Sequence, residues 1–257
     1  MTILVVNDDG VLSAGLHATY HAVRPLDEVV VCAPAEQQTG TGRGFTLHKP
    51  IRVKKVLFDD TLAYATSGTP VDSFLYAIHG LGINPRIVVS GINLGENIST
   101  EITSSGTVGV AIEAASLGYP AIAVSFEMRH DMDKLEEGEG IDFSAAVSAT
   151  RSIAKKVLEQ GLPEGVDVLN VNIPHDVTCD TPIELTVLER NLYASRIESR
   201  IDPMGRPYHW NVGDLTQEMK KGSDVYCIFK KGHISITPLS IDMTAKVGKK
   251  DLSYLFR

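Results

Sequence analysis

Apolar residues along the first two thirds of the chain fall into two alternating rhythms. Short unbroken runs at 3–6, 29–32, 87–90, 121–125 and 168–173 have the length and β-branched content of strands buried on both faces. Between them, apolar positions recur every three or four residues, the spacing of one helical face. Leu12, Leu16, Thr19, Tyr20 and Val23 follow the first run, and Val71, Phe74, Leu75 and Ile78 precede the third. Val108, Ala111, Ile112 and Ala115 predict a helix over 106–117, which Gly118 ends. Phe143, Ala146, Val147, Ala154 and Val157 predict another, capped by Asp142 and running to about residue 159. Thr69-Pro70-Val71-Asp72 is a helix start, with a hydroxyl cap, proline at the first position and a carboxylate in the first turn. Segments 51–56 and 62–66 read as a β excursion, and the charged stretch 128–140 as a surface loop.

Strands alternating with helices imply an α/β fold, with a mostly parallel sheet covered by helices on both faces. After about residue 180 the rhythm changes. Segments 184–189 and 233–242 read as strands, with the turn Asp202-Pro203-Met204-Gly205 between them. The expected organisation is an α/β domain over 1–180 and a smaller β-rich C-terminal extension over 181–257.

Composition narrows the function. Against 32 Asp and Glu stand 24 Lys and Arg among 257 residues, a formal charge of −8. A binder of nucleic-acid polymer needs a positive field to displace counterions, so that class is set aside. Small phosphate substrates stay open, because a divalent cation can reverse the local sign. Three cysteines without CxxC spacing suggest neither a disulfide framework nor a zinc ribbon. With no basic, apolar leader after Met1 and no span-length apolar run, the expectation is a cytoplasmic protein away from membranes.

The polar clusters sit where the strands should end. Asp8 and Asp9 follow the first strand, and Thr39-Gly40-Thr41-Gly42 comes soon after the second. Asn93 and Asn97 follow the third, and Ser105-Gly106-Thr107 opens a helix whose free amides favour an anion. In an open parallel sheet, ligands collect at that carboxyl edge. Two carboxylates, a hydroxyl and an amide oxygen are hard donors, suited to Mg²⁺, Mn²⁺ or Ca²⁺ better than to zinc. A hard cation beside an anion site is what metal-assisted phosphate-ester hydrolysis uses. Each piece alone also has a plain structural reading: an Asp pair can be turn chemistry, Asn93 and Asn97 can fill left-handed turns, and Ser105 and Thr107 can be caps. His17 and His21, at i and i+4, read as helix-surface residues rather than ligands, and His233 as a structural group.

Asn7-Asp8-Asp9-Gly10, Ser90-Gly91-Ile92-Asn93-x-Gly-x-Asn97 and Ser105-Gly106-Thr107-Val108 together resemble SurE, the survival protein E family of nucleotidases. The likeness continues in collinear order through Gly68-Thr69-Pro70-x-Asp72, Leu169-Asn170-Val171-Asn172-Ile173-Pro174, Asp202-Pro203-x-Gly205-Arg206-x-Tyr208-x-Trp210 and Ile234-Ser235-Ile236-Thr237-Pro238-Leu239 with Asp242. It implies a Rossmann-like catalytic domain that hydrolyses nucleoside 5′- and 3′-monophosphates, with short polyphosphate as a further substrate. It implies one divalent metal cation per subunit, Mg²⁺ or Mn²⁺, on Asp8, Asp9, Thr39 and Asn93. The substrate phosphate would be bound by Asn97, Ser105, Gly106 and Thr107, with Asp8 and Asp9 as the catalytic pair. The C-terminal extension would exchange between subunits of a homodimer or tetramer.

This chain departs from the family pattern in three places. Thr39 stands where serine is usual, Glu36-Gln37-Gln38 where many members carry Arg-Asn-Arg, and Ser104 where a tyrosine is common. The middle change removes positive charge that Arg43 is placed to replace in part. Water is the expected nucleophile, with attack by Asp8 as the alternative. Outside the enzyme class, the same rim would suit a non-catalytic nucleotide-binding module.

Overall fold

The structure, a computed structural model, describes residues 2–128, 140–190, 192–215, 218–245, 247 and 253–256. Most of stretch 128–140, read above as a loop, lies outside them. Strands β1 (Thr2–Val6), β2 (Glu28–Pro34), β3 (Val53–Phe58), β4 (Thr61–Thr66), β5 (Ile87–Leu94), β6 (Ala121–Phe126), β7 (Val168–Ile173), β8 (Ile183–Leu185) and β11 (Ile234–Leu239) form one nine-stranded sheet. Its order is β3-β4-β2-β1-β5-β6-β7-β11-β8. The run from β4 to β7 is parallel throughout, while β3 and β11 lie antiparallel to β4 and β7.

Period-two alternation sorts the strand residues onto two cores. Ile3 and Val5 face helices α1 (Ala14–Val23) and α4 (Ser144–Gln160), burying Leu16, Tyr20, Ala154 and Val157. Leu4 and Val6 face α2 (Pro70–Leu75) and α3 (Gly106–Ser116), burying Val71, Phe74, Val108 and Ala111. Every residue of β5 and β6 is buried, as expected of central strands covered on both sides. The predicted start of α2 is a full capping box: Thr69 Oγ1 accepts from Asp72 N, and Asp72 accepts from Thr69 N at 2.8 Å.

Several elements differ from the sequence reading. Leu12, expected on the inner face of α1, precedes the helix and is 65% exposed; Ser13 caps the helix instead. β5 extends past Ser90 to Leu94, because its register with β6 shifts between Ser90 and Asn93 and pairing then resumes. Gly91, at φ 127°, supplies the backbone freedom for that irregularity. Asp142 stands two residues before α4, where its Oδ1 accepts from Ser144 N. The expected strand 184–189 shrinks to β8 plus a single bridge at Val187.

Missed altogether were the arms of a hairpin, β9 (Tyr193–Ile201) and β10 (Pro207–Leu215), around the Asp202-Pro203-Met204-Gly205 turn. Among its described side chains none is buried, so no hydrophobic period marks the two arms. Asp202 Oδ1 accepts from Met204 N and Arg206 N, and the Arg206 backbone bond is the main reason its carboxyl lies below the usual range.

The strand order reverses beside β1. From β1 the chain moves outward to β2 and β4, then returns to β5 on the opposite flank. The crevice between the carboxyl ends of β1 and β5 is therefore the topological switch point, the favoured ligand position in such sheets.

Candidate active site

At the end of β1, Asn7 folds the next turn. Its Nδ2 donates to Ser13 Oγ at 2.6 Å and to Gly10 O at 3.1 Å, joining the turn to the start of α1. This presents Asp8 and Asp9 at the switch point. Asp8, only 4% exposed, accepts at Oδ1 from the Thr107 hydroxyl in the first turn of α3. The approach is close enough to exclude any side chain at position 106, where a Cβ would lie 2.8 Å from Asp8 Cβ. Asp9 ties together three segments: Oδ2 accepts from Leu94 N at 2.9 Å in β5, and Oδ1 from Gln37 Nε2 at 3.4 Å in the loop after β2.

Asn93 comes from the resumed half of β5. Its Nδ2 donates to Gly95 O at 2.5 Å, so the amide oxygen is the atom it can offer a cation. The loop carrying Thr39 is held by Gln38 N donating to Asp8 O at 2.7 Å and by Gly42 N donating to Ser104 O at 2.9 Å. Ser105 caps α3 through Oγ and Val108 N at 3.1 Å. The Gly106 and Thr107 amides belong to a helix's first turn, where intrahelical acceptors are lacking. The plain cap reading thus holds for the Ser105 hydroxyl. The Thr107 hydroxyl instead fixes Asp8.

Asp8, Thr39, Asn93, Asn97 and Ser105 line one cleft of about 120 Å³. That is well below the about 300–1,000 Å³ of pockets that enclose a whole small-molecule ligand, so the cleft suits a small group such as phosphate. Glu96, not singled out from sequence, also lines it, as does Ser104, which stands where a tyrosine is common in the family. Another unforeseen group stands behind Asn97. Asn172 Oδ1 accepts from Asn97 N at 2.8 Å, while Asn170 and Asn172 both donate to Asn97 O. Ser125 Oγ accepts from Asn97 Nδ2 at 2.8 Å. The available signal was the Asn-x-Asn alternation in β7: buried amides in an apolar strand need partners.

No Lys or Arg lines the cleft among the described residues. Arg43, a candidate for replacing lost charge, is turned onto α3, bonding Glu113 at 2.6 Å and Ser116 at 2.9 Å. Carboxylates beside a phosphate repel it, and a cation between them reverses the local sign. Among the described residues no three His, Cys, Asp or Glu side chains form a metal cluster. The donor set is mixed and all oxygen, which fits a hard divalent ion.

His17, His21 and His233 are not among the residues that line the cleft. His17 Nδ1 and His21 Nε2 lie 3.1 and 3.0 Å from the two oxygens of Asp59, tying α1 to the β3–β4 turn. His233 contacts Glu184 at 2.6 Å beside Lys231. Burial pushes the Cys32 thiol up to about 12 and Cys227 up to about 11, which makes both poor nucleophiles.

Residues 3–195 match the family model described as Survival protein SurE. The chain is 51% identical to the 5′-nucleotidase SurE of Thermococcus gammatolerans, over 96% of this chain and 92% of that one. It is 47% identical to the 5′-nucleotidase SurE of Methanosarcina mazei, covering 95% and 94%. The crystal structure of the SurE protein from Aquifex aeolicus superposes with a TM-score of 0.83 at 34% identity, each chain being fully covered.

Proposed function

Because the chain belongs to the SurE family and is an enzyme of its 5′-nucleotidase class, we propose that one Mg²⁺ or Mn²⁺ per subunit is held by Asp8, Asp9, Thr39 and Asn93. Asn97, Ser105, Gly106 and Thr107 bind the phosphate of a nucleoside 5′- or 3′-monophosphate, with short polyphosphate as a further substrate. The observation that carries this reading is convergence: separate chain segments bring oxygen donors and a helix start to one phosphate-sized cleft at the switch point.

When bound, the cation neutralises phosphate charge, polarises a phosphoryl oxygen and acidifies water. The protein's own groups do the rest. Asp8, fixed by Thr107, and Asp9, fixed by Leu94 N, supply two preset negative charges that need no reorganisation. The Gly106 and Thr107 amides, at the positive end of α3, receive charge that builds on the phosphoryl oxygens. Water adds to phosphorus, the ester P–O bond breaks, and nucleoside and inorganic phosphate leave. Thr107's bond to Asp8 favours a ligand role for that carboxylate over attack on phosphorus.

The test is phosphate release from a panel of 5′- and 3′-nucleoside monophosphates after EDTA treatment, with Mg²⁺ or Mn²⁺ restored. Release is expected to fall to background with EDTA and to return with either ion. Tight nucleotide binding without release from folded, metal-loaded protein would instead establish the binding-module reading.

Segment 181–257, above all its hairpin, is read as the oligomerisation element of a homodimer or tetramer. An unsupported two-stranded hairpin is marginal in water. This one also exposes Ile197, Ile201, Met204 and Trp210. Trp210→Asp is expected to shift light-scattering mass toward the monomer; an unchanged mass would rule out this arm. No helix among the described residues is long and apolar enough to cross a membrane. Three unpaired cysteines support a cytoplasmic setting, and the formal charge of −8 supports a role apart from nucleic-acid polymers.

A further inference from the structure

The loop between Asn97 and Ser105 carries a proposed phosphate-binding group at each end, and its middle is held by the C-terminal segment. Ser99 adopts φ 59°, unusual for a residue with a side chain, and is fully buried. Its N–H donates to Asp224 Oδ2 at 2.7 Å. Asp224 is also fully buried, and its Oδ1 accepts from Glu189 N and Val225 N, both at 2.9 Å. Next door, Ile98 lies in a small separate core with Leu192, Val225 and Ile228. Thr100 Oγ1 donates to Arg190 O at 2.9 Å. Residues 98–100 are thus gripped by side chain and backbone from the C-terminal segment, immediately after Asn97.

A buried carboxylate is costly, and its place here needs a reason. Burial raises the Asp224 carboxyl above its ordinary value, against the pull of the N–H donors from Glu189, Ser99 and Val225. Among the described residues no Lys or Arg is one of its hydrogen-bond partners. What it provides is an acceptor for an N–H that would otherwise be orphaned in a left-handed turn.

We infer that Asp224 is a positioning residue for the phosphate site, holding Ser99 so that Asn97 and the Ser105–Thr107 turn keep their separation. This rests on the assignment of Asn97 and Ser105–Thr107 to the phosphate. Asp224→Asn isolates the contact. The amide oxygen can still serve Glu189 and Val225, but the NH₂ group then faces the Ser99 N–H, donor against donor.

The experiment uses full-length Mn²⁺-loaded protein, AMP as substrate and inorganic phosphate as competitive inhibitor. For Asp224→Asn, KM for AMP and Ki for phosphate are expected to rise together by about tenfold, with kcat changed far less and Mn²⁺ affinity retained. A lowered Tm with wild-type KM and Ki would overturn the proposal, since a purely structural role gives that result. If Asp224→Asn fails to fold, Ser99→Val decides: a β-branched residue at that φ strains the same turn without touching Asp224, and unchanged phosphate affinity would again overturn it. Asn97→Ala serves as the reference. If it raises the phosphate Ki and Asp224→Asn does not, the positioning role alone fails; if neither does, the assignment of the phosphate site fails with it.

Discussion

Asp8→Asn is expected to lower kcat for nucleoside monophosphates by about a thousandfold, equivalent to ~4 kcal/mol of transition-state stabilisation. The substitution keeps the size of the side chain and its carbonyl oxygen, so the Thr107 hydroxyl retains an acceptor. What disappears is the negative charge of a carboxylate that lines the cleft, the charge a divalent cation would need there. Stability should move by less than about 1 kcal/mol, because the hydrogen-bonded frame survives. Asp9→Asn should also reduce turnover by orders of magnitude, with its bond from Leu94 N offering a similar structural safeguard. Single-turnover kinetics and thermal melts on the same preparations check both halves. Wild-type-like, metal-dependent turnover in both variants would remove the two carboxylates from the mechanism.

Gly15→Ala is expected to destabilise the fold by about 3 kcal/mol, the upper range for overpacking a core, although alanine is the better helix former. In a chain of this length that corresponds to a Tm lowered by roughly 6–12 °C. The reason is a close approach between backbones. A Cβ at position 15 would lie 2.0 Å from the carbonyl oxygen of Ile92 and 3.1 Å from its carbon. Neither is the end of a flexible side chain, so α1 or β5 must shift. The residue after Ile92 is Asn93, so residual activity in folded protein should also fall, with a weaker apparent affinity for Mn²⁺. A rise in Tm, as helix propensity alone predicts, would refute this contact.

These two positions differ in how far the sequence reveals them. Asp8 and Asp9 could be read directly, because an acidic pair ending a buried strand is local information. Thr39, Asn97 and Ser105 were legible as cleft residues for the same reason: each follows a strand or opens a helix, and each element announces itself by its own apolar period, whereas Asn93, read as following the third strand, lies within β5. Gly15 was not legible. Its role depends on how closely α1 lies over β5, which no spacing within α1 encodes.

The groups that hold the site are harder still to foresee. Asn172 and Asn170 act on the backbone of Asn97, and Asp224 acts on the backbone of Ser99, across 75, 73 and 125 residues of sequence. A backbone partner leaves no trace in the partner's residue type. Arg43 shows the converse error: its charge suggested a phosphate contact, yet Glu113 and Ser116 take it.

By itself, the sequence determined which segments are strands and helices through the core, where the oxygen donors sit at the strand ends, and which family they belong to. Those properties depend on period and on short-range order. Only the tertiary structure decided that β1 and β5 are neighbours, and hence that Asp8 and Asn93 share one cleft. It alone decided that β11 joins the main sheet antiparallel to β7, and that the hairpin stands apart with apolar residues exposed. Strand order and helix approach are settled by packing between distant segments, where close contacts and buried hydrogen bonds select one arrangement among many that satisfy the same hydrophobic pattern.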